Sequence, residues 1–313
     1  MQLLYLLLGI AGLVIAAHLV ITGALHIAER LKLGHVFVGL TILALGTNLP
    51  EIVVSISGAI HNRLGMQASG IVLGDAIGSG MGQIALALGI LGVLTAGGLY
   101  IKKRVLKRDG IALLIAMFLL ILVSIDGQIS VFDGMILLTA YAIYLVIISR
   151  GEQIRDKMGG WIKPHMAWAT LSMLAGFAIL AYCSTVVIKN AISLSASWGV
   201  SQSLVGILIV GVGTSLPELV VALMALKKRA LGLSVGNIIG SNIVDMSITP
   251  GIGAVISGLA VKSSLVYFDM LFLLATTVVV LIFFRSDRKI TKWEAATLIG
   301  LFATYVTLKL FGF

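Results

Sequence analysis

Two glutamates stand in nearly identical surroundings within an otherwise apolar sequence. Glu51 ends the string Gly-Thr-Asn-Leu-Pro-Glu, and Glu218 ends the string Gly-Thr-Ser-Leu-Pro-Glu. A carboxylate in the middle of an apolar helix costs at least about 2.5–3.5 kcal/mol on insertion scales, so two of them indicate a function or a counter-charge. Pro50 and Pro217 each remove one backbone donor, which leaves carbonyl oxygens of the preceding turn available as ligands.

A second shared string follows each of the first. It reads Gly-Asp-Ala-Ile-Gly-Ser and ends at Ser79, and its counterpart reads Gly-Asn-Ile-Ile-Gly-Ser and ends at Ser241. Four residues later stand Gln83 and Asp245, a spacing that keeps each pair on one helix face. The strings offer carboxylate, hydroxyl, amide and carbonyl oxygens, but no imidazole or thiolate. Such a set suits hard cations, Ca²⁺ or Na⁺, and argues against zinc or copper.

The composition indicates that a lipid bilayer surrounds the elements that carry these strings. The 313 residues are 59% hydrophobic and only 11% charged, with a mean hydropathy of +1.12, whereas a soluble domain carries about a quarter charged residues. Apolar stretches of spanning length, about 20 residues, predict an all-α polytopic membrane protein with ten transmembrane helices. These stretches cover approximately residues 3–27, 36–59, 69–96, 110–125, 130–149, 167–193, 203–226, 232–258, 264–284 and 293–312.

The distribution of basic residues predicts the orientation in the membrane. With an external N-terminus, eighteen of the 22 lysines and arginines lie in cytoplasmic loops, and the other side holds only Arg63, Lys189, Lys262 and Lys309. By the positive-inside rule, both termini are external and the polar segment 150–166 is a cytoplasmic linker. The net charge of +9 comes from short clusters between apolar spans, which argues against a nucleic-acid partner.

The two sets of strings divide the chain into halves. The interval between the two glutamates is only slightly longer than the interval between the two motif serines, so two collinear segments repeat with a small difference in loop length. With five predicted helices in each half, the second copy must enter the membrane from the opposite side, as in many secondary transporters. We therefore expect a first repeat at 1–149, the linker at 150–166, and a second, inverted repeat at 167–313.

Both sets of strings resemble the α-repeats of the cation/calcium exchanger superfamily, most closely its prokaryotic sodium/calcium exchangers. The resemblance implies a ten-helix inverted-repeat fold in which the two motif glutamates bind Ca²⁺ and Na⁺ alternately. It also implies that motif hydroxyls, nearby carbonyl oxygens and the acid of the second string complete overlapping sites. Carried over to this chain, the expected ligands are Glu51, Glu218, Thr47, Thr214, Ser215, Ser79, Ser241, Asp245 and the carbonyl oxygens of Ala44 and Gly211.

The departures from the family pattern are concentrated in the first repeat. Asn48 stands where Ser is usual, Asp75 replaces Asn, Gly80 replaces the next Asn, and Gln83 replaces the Asn at the ligand position. Gln83 can still offer a carbonyl oxygen on a longer stem. Asp75 either adds a carboxylate to the site or lies nearer the aqueous end of its helix. We include Asn48, Asp75 and Gln83 among the candidate site residues.

Five other acids lie near the ends of predicted spans, so we do not assign them to the site. We expect these side chains to be solvated or to cap helices. They are Asp109, Asp126, Asp133, Asp269 and Asp287.

The sequence thus predicts a secondary active antiporter of a prokaryotic cell membrane that exchanges Ca²⁺ for Na⁺ by alternating access. The ions are its cargo, and no cofactor or obligate protein partner is expected. One alternative is exchange of Ca²⁺ for protons, or for another cation, on the same carboxylates. A second is a cation channel, although a broken-helix site in an inverted repeat favours a carrier. A third is a membrane enzyme, for which no nucleophile–base pair or phosphate-binding loop is recognised.

Overall fold

The computed structural model describes a chain that is almost entirely helical, over residues 1–30, 44–101, 103–151, 166–227 and 231–311. Apolar runs become helices because a spanning segment in lipid must satisfy its own backbone hydrogen bonds. The helices of the first half are Gln2–Arg30 (α1), Ala44–Thr47 (α2), Leu49–Arg63 (α3), Ser69–Met81 (α4), Leu88–Leu94 (α5), Lys103–Leu122 (α6) and Val131–Gly151 (α7).

The second half also contains seven helices within the described residues. Its helices are Met166–Trp198 (α8), Gln202–Val205 (α9), Val212–Thr214 (α10), Leu216–Lys227 (α11), Leu231–Ser257 (α12), Leu271–Asp287 (α13) and Lys292–Leu310 (α14). Three π-helical segments continue the α-helices. Gly82–Ala87 joins α4 to α5, Gly206–Gly211 joins α9 to α10, and Leu265–Met270 leads into α13. Single π-helical turns occur frequently at functional sites.

Seven helices within the described ranges are long and apolar enough to cross a membrane. They are Gln2–Gly23, Ser69–Leu94, Val131–Ile148, Ala167–Trp198, Gln202–Leu223, Ser234–Ser257 and Leu265–Asp287. Of the other three predicted spans, 110–125 and 293–312 fall largely in α6 and α14, and 36–59 lies partly outside the described residues. Most of the predicted linker 150–166 also lies outside them. The chain is therefore an integral membrane protein, as predicted.

Two apolar clusters hold the helices together. α1 packs along α8, and the cluster between them includes Leu13 and Val187, both fully buried. The larger cluster joins α4 to α7 with α12 to α14 and includes Leu88 and Phe284. α4 contributes to both clusters, through Ile71 in the first and the neighbouring Val72 in the second. The helix that carries the Gly-Asp-Ala-Ile-Gly-Ser string thus lies between them.

Two short antiparallel strand pairs join loops that are distant in sequence. Leu99–Tyr100 (β1) pairs with Lys289–Ile290 (β4), and Gln128–Ile129 (β2) pairs with Leu259–Ala260 (β3). β3 follows β1 at nearly the same interval in sequence as β4 follows β2. Each pairing therefore contains one strand from each half. A shift by this interval along the sequence takes β1 to β3 and β2 to β4, so the two pairings are equivalent.

Two of the aspartates expected at solvated span ends are buried instead. Asp269 is fully buried in the π segment before α13, where it accepts hydrogen bonds from the Tyr305 hydroxyl (2.8 Å) and Lys309 Nζ (2.6 Å). Lys309 is itself only 6% exposed, although the sequence analysis counted it among the basic residues on the external side of the membrane. Asp109 is 6% exposed and is bonded to Arg108 (2.6 Å) and Tyr144 (3.2 Å).

The prediction was wrong for these two because each also accepts a hydrogen bond from a tyrosine on the following helix, Tyr144 on α7 for Asp109 and Tyr305 on α14 for Asp269. The remaining three aspartates agree with the expectation. Asp126 accepts the Gln128 N–H at an exposed turn, Asp133 caps the start of α7 with Ser130, and Asp287 is exposed.

Candidate cation site

Four carboxylic acids meet in the interior of the helical bundle. The side chains of Glu51, Asp75, Glu218 and Asp245 are all fully buried. Glu51 lies within electrostatic range of the other three acids. Within the described residues, the ion pairs found involve Asp109 and Asp269 and none of these four. Buried acids without a protein counter-charge are costly in a membrane, so their charge must be offset by protons or by bound cations.

The two glutamates each follow a break in their helix. Asn48 separates α2 from α3, and Ser215 separates α10 from α11. Pro50 stands within the first two positions of α3, and Pro217 takes the same place in α11. Because proline has no N–H, the carbonyl oxygen four residues earlier loses its helical donor. The sequence predicted an interrupted helix at each proline, and a glutamate follows each interruption directly.

Ser79 connects three of the elements that surround the acids. Its hydroxyl oxygen is 2.8 Å from an oxygen of Asp245 on α12 and 3.3 Å from an oxygen of Glu51 on α3. A hydroxyl has one hydrogen, so it can donate to only one of these carboxylates at a time. The second oxygen of each carboxylate has no hydrogen-bond partner in the described part of the chain. Each of these two acids therefore keeps one buried oxygen that is available as an acceptor or ligand.

The motif threonines also contact the acids. The Thr214 hydroxyl donates to Asp75 at 2.8 Å, which holds Asp75 at the site and not at the aqueous end of α4. Thr47 lies beside the carboxyl group of Glu218. Both threonines are fully buried. Each motif threonine thus lies next to an acid of the other half. Asp75 belongs to the second string of the first half, whereas Glu218 belongs to the first string of the second half.

A side-chain hydrogen bond also connects the break in the first half to α12. Asn48 donates from Nδ2 to the Ser241 hydroxyl at 3.0 Å. Both residues are fully buried. Asn48 is therefore in contact with a predicted ligand from the opposite repeat.

Two of the remaining candidates, Ser215 and Gly211, have hydrogen-bond partners nearby in the sequence. Ser215 is 6% exposed and donates to the carbonyl oxygen of Val212 at 3.1 Å. The Gly211 carbonyl oxygen accepts the Ser215 N–H and lies near the Thr214 hydroxyl, both at 3.3 Å. Ala44 is the first residue of α2. No group of three His, Cys, Asp or Glu side chains that could hold a metal ion is found in the described ranges.

Glycines bring the two halves of the chain into close backbone contact next to Asp75 and Ser79. A Cβ on Gly211 would lie 2.5 Å from the Asp75 carbonyl oxygen and 2.6 Å from the Ser79 nitrogen, and one on Gly78 would lie 2.2 Å from the Ile207 carbonyl oxygen. No side chain fits at either position without a shift of the backbone. The close approach of α4 to the π segment Gly206–Gly211 places Asp75 and Ser79 against the second repeat.

Two buried polar residues near the acids were not predicted. Ser55 donates to the Thr249 carbonyl oxygen at 2.6 Å, and the Thr249 hydroxyl has no partner in the residues described. Ser55 follows Glu51 by four residues, and Thr249 follows Asp245 by four. Residues four apart lie on the same face of a helix, so this spacing from each acid is the sequence signal that points to Ser55 and Thr249.

The chain belongs to the sodium/calcium exchanger protein family, whose model matches residues 1–150 and 168–311. The predicted resemblance is therefore confirmed. The chain is 28% identical to the antiporter CaxA of Alkalimonas amylolytica over 96% of both chains. It is 25% identical to the sodium/calcium exchanger MaX1 of Methanosarcina acetivorans, with 97% of each chain covered.

Solved structures agree with this assignment. The fold is similar to that of the sodium-calcium exchanger NCX_Mj, with a TM-score of 0.67, 25% identity, and 98% of this chain and 97% of the other covered. It is also similar to the H⁺/Ca²⁺ exchanger CAX, with a TM-score of 0.80, 18% identity, and 99% of this chain and 86% of the other covered. Members with this fold thus include exchangers named for either coupling ion.

Proposed function

We propose that this protein is a secondary active antiporter that moves Ca²⁺ out of the cytoplasm in exchange for Na⁺. The observation that carries the proposal is the burial of Glu51 and Glu218 behind duplicated helix breaks, without a protein counter-charge in the described residues. Oxygen ligands of this kind favour hard cations. Membership of the sodium/calcium exchanger family and the similarity to MaX1 and NCX_Mj support the choice of ions.

Exchange requires only that the two ions compete for the same carboxylates. One Ca²⁺ or several Na⁺ can neutralise the acids, so occupancy by one ion excludes the other. An empty site leaves charges unpaired in a low-dielectric interior, which penalises a conformational change without cargo. The acids alone can thus couple two ion gradients without any covalent step, and the ions are cargo, with no cofactor needed.

We assign the cation ligands by proximity to the acids. The proposed set contains the candidates named from the sequence. It comprises Glu51, Glu218, Asp245, Asp75, Thr47, Thr214, Ser79, Ser241 and Ser215, with the carbonyl oxygens of Ala44 and Gly211, and with Asn48 and Gln83 in contact with these groups.

We further propose ten spans in two inverted repeats, 1–149 and 167–313, joined by a cytoplasmic linker at 150–166. Two duplicated features support this arrangement. The β1–β4 and β2–β3 pairings interchange under the repeat offset, and the Asp109–Tyr144 bond recurs as Asp269–Tyr305, with both residues displaced along the chain by nearly the same interval. In a ten-span topology, the paired loops also lie on the same side of the membrane, which each strand pairing requires.

Alternating access would follow from movement of α1 and α8 over the helices that carry the acids. These two helices pack along one another and bury a cluster of their own. Neither contains an acid within its apolar span, so both can slide without carrying a ligand. A moving pair with its own packing interface can change position as a unit.

The decisive experiment reconstitutes the full chain in liposomes and measures Ca²⁺ uptake under two separate driving forces. An outward Na⁺ gradient at constant pH should drive uptake, and a pH gradient without Na⁺ should not. Uptake driven by the pH gradient alone would overturn Na⁺ coupling in favour of proton exchange. Ca²⁺ flux that needs no counter-ion would indicate a channel.

A further inference from the structure

Gln83 occupies the position in the first repeat that Asp245 occupies in the second. Each follows its motif serine, Ser79 or Ser241, by four residues. The equivalent positions therefore hold an amide in one half and a carboxylate in the other. Gln83 is 1% exposed and Asp245 is fully buried.

The Gln83 amide nitrogen lies among oxygens that are suited to a cation. Nε2 is 2.8 Å from the Ser79 hydroxyl oxygen and 3.2 Å from Oδ2 of Asp245. A carboxamide nitrogen has two hydrogens and no lone pair to offer, so it can donate to both oxygens at once. It supplies partial positive charge to the acid without adding a net charge.

The hydrogen-bond network determines which end of the amide faces Asp245. Asn242 donates from Nδ2 to the backbone carbonyl of Ile238 (2.9 Å) and to Oε1 of Gln83 (2.8 Å). Because a backbone carbonyl can only accept, the Asn242 nitrogen is identified, and the Gln83 atom facing it must be the oxygen. The nitrogen of Gln83 is then the atom directed at Ser79 and Asp245.

Gly80 is a second residue that determines the surroundings of the Gln83 amide. It stands at the repeat position of Asn242, and a Cβ there would lie 3.2 Å from the Asn242 amide oxygen and 3.0 Å from Cδ2 of Leu273. A side chain at position 80 would crowd Asn242, which bonds to Gln83. The absence of a side chain at Gly80 thus leaves room for the Asn242 side chain that orients the Gln83 amide.

We infer that the Gln83 amide takes the place of a monovalent cation beside Asp245 and so lowers the number of Na⁺ ions exchanged for each Ca²⁺. This inference rests on the proposed function. It makes Gln83 a specificity-determining residue that acts as a donor, with its carbonyl oxygen committed to Asn242. Glu51, Glu218 and Asp75 still provide carboxylate oxygens for Ca²⁺.

The test measures the Na⁺:Ca²⁺ coupling ratio of Gln83→Asn and Gln83→Glu in liposomes, from the Na⁺ gradient at which net Ca²⁺ flux is zero. Gln83→Asn is one methylene shorter and withdraws the donor, and Gln83→Glu replaces it by a carboxylate of the same length. Both should raise the ratio above that of the wild type. Gln202→Glu is the matched control, because the Gln202 amide bonds the Gln67 carbonyl oxygen away from the acids.

An unchanged ratio in both Gln83 variants would overturn the inference. For a folded variant that does not transport, the steepness of the curve for displacement of bound Ca²⁺ by Na⁺ in detergent replaces the coupling ratio. A curve steeper than that of the wild type supports the inference, and an unchanged steepness overturns it. Loss of Ca²⁺ binding by folded Gln83→Asn would also overturn it, because Gln83 would then be a Ca²⁺ ligand. Failure of wild-type Na⁺-driven uptake is a separate result that counts against the proposed function.

Discussion

At the scale of single residues, the partners of a buried acid distinguish a transport site from a structural ion pair. Asp269 has both oxygens bonded, one by a hydroxyl and one by an ammonium group. Glu51 and Asp245 share one serine hydroxyl, and each keeps an oxygen without a partner in the described residues. A satisfied acid contributes to the fold, whereas an acid with available lone pairs can take a cation.

We expect Glu51→Gln and Glu218→Gln each to reduce Ca²⁺ uptake to the level of liposomes without protein. An amide keeps the shape of the side chain but removes the charge that Ca²⁺ must neutralise. Folding should be retained, because a neutral group costs less to bury than a carboxylate. Radioactive Ca²⁺ uptake and thermal unfolding in detergent are the two measurements.

The control for this prediction is Glu294→Gln. Glu294 caps the start of α14 with Thr291, and glutamine can fill that capping position as well. This variant should transport normally. Added Ca²⁺ should stabilise the wild type, by about 2.7 kcal/mol at a hundred times its Kd, and should not stabilise the two glutamate variants. Wild-type uptake by either of them would make the motif glutamates structural.

At the scale of elements, short interruptions in helices place the ligands. A single residue separates each Leu-Pro-Glu helix from the helix before it. The π segment Gly82–Ala87 directly follows the helix that carries Ser79, and Gly206–Gly211 directly precedes the helix that carries Thr214. A π segment adds a residue to the turn and so rotates the side chains that follow it. Gln83 lies in one such segment, and its counterpart Asp245 lies in a continuous α-helix. The two repeats thus differ in backbone as well as in side chain at this position.

The pair Asp269–Lys309 joins the start of the ninth predicted span to the end of the tenth. Their side chains are 0% and 5% exposed. Removing one partner of a buried ion pair leaves an uncompensated charge and costs about 3–5 kcal/mol. We expect Asp269→Asn and Lys309→Met each to lower the unfolding temperature in detergent, and the double variant to recover a large part of the loss.

Lys262→Met serves as the matched control, because Lys262 is exposed at the same face. It should have little effect on unfolding. Additive losses in the Asp269/Lys309 double variant would show that the two side chains do not stabilise the fold as a pair.

At the scale of the whole molecule, the two strand pairs differ in the basic residues that surround them. β4 and the residues around it carry Arg285, Arg288, Lys289 and Lys292, and β1 is followed by Lys103 and Arg104. The β2–β3 pair has Lys262 close by. By the positive-inside rule, we expect the β1–β4 pair to face the cytoplasm.

This assignment predicts the labelling of introduced cysteines in intact cells. In a Cys183→Ala background, which removes the only native thiol, a membrane-impermeant maleimide should label Ser263→Cys and not Ser286→Cys. Both serines are exposed, and they lie next to β3 and β4 respectively. Permeabilised cells provide the control, in which both variants should react. Labelling of Ser286→Cys alone in intact cells would reverse the orientation.

The sequence alone determined the membrane class, the duplicated strings and the family. These conclusions depend on local properties, namely apolar runs, an acid next to a proline, and a repeated order of motifs, each of which is visible within a few residues. The helix breaks at Asn48 and Ser215 belong to the same group, because proline acts on its own turn.

Only the tertiary structure decided what each polar group faces. Asp109 and Asp269 looked like solvated helix ends until their partners on the following helices were seen, and Asp75 could have lain at the site or in water until Thr214 was found to bond it. Gln83 could be a ligand or a donor by residue type. Its orientation depends on Asn242, which is distant in sequence and reaches it because Gly80 leaves room. The Gly-Thr-x-Leu-Pro-Glu strings predict a cation site by themselves, but contacts between the two halves of the chain decide which of the candidate groups are hydrogen-bonded to one another.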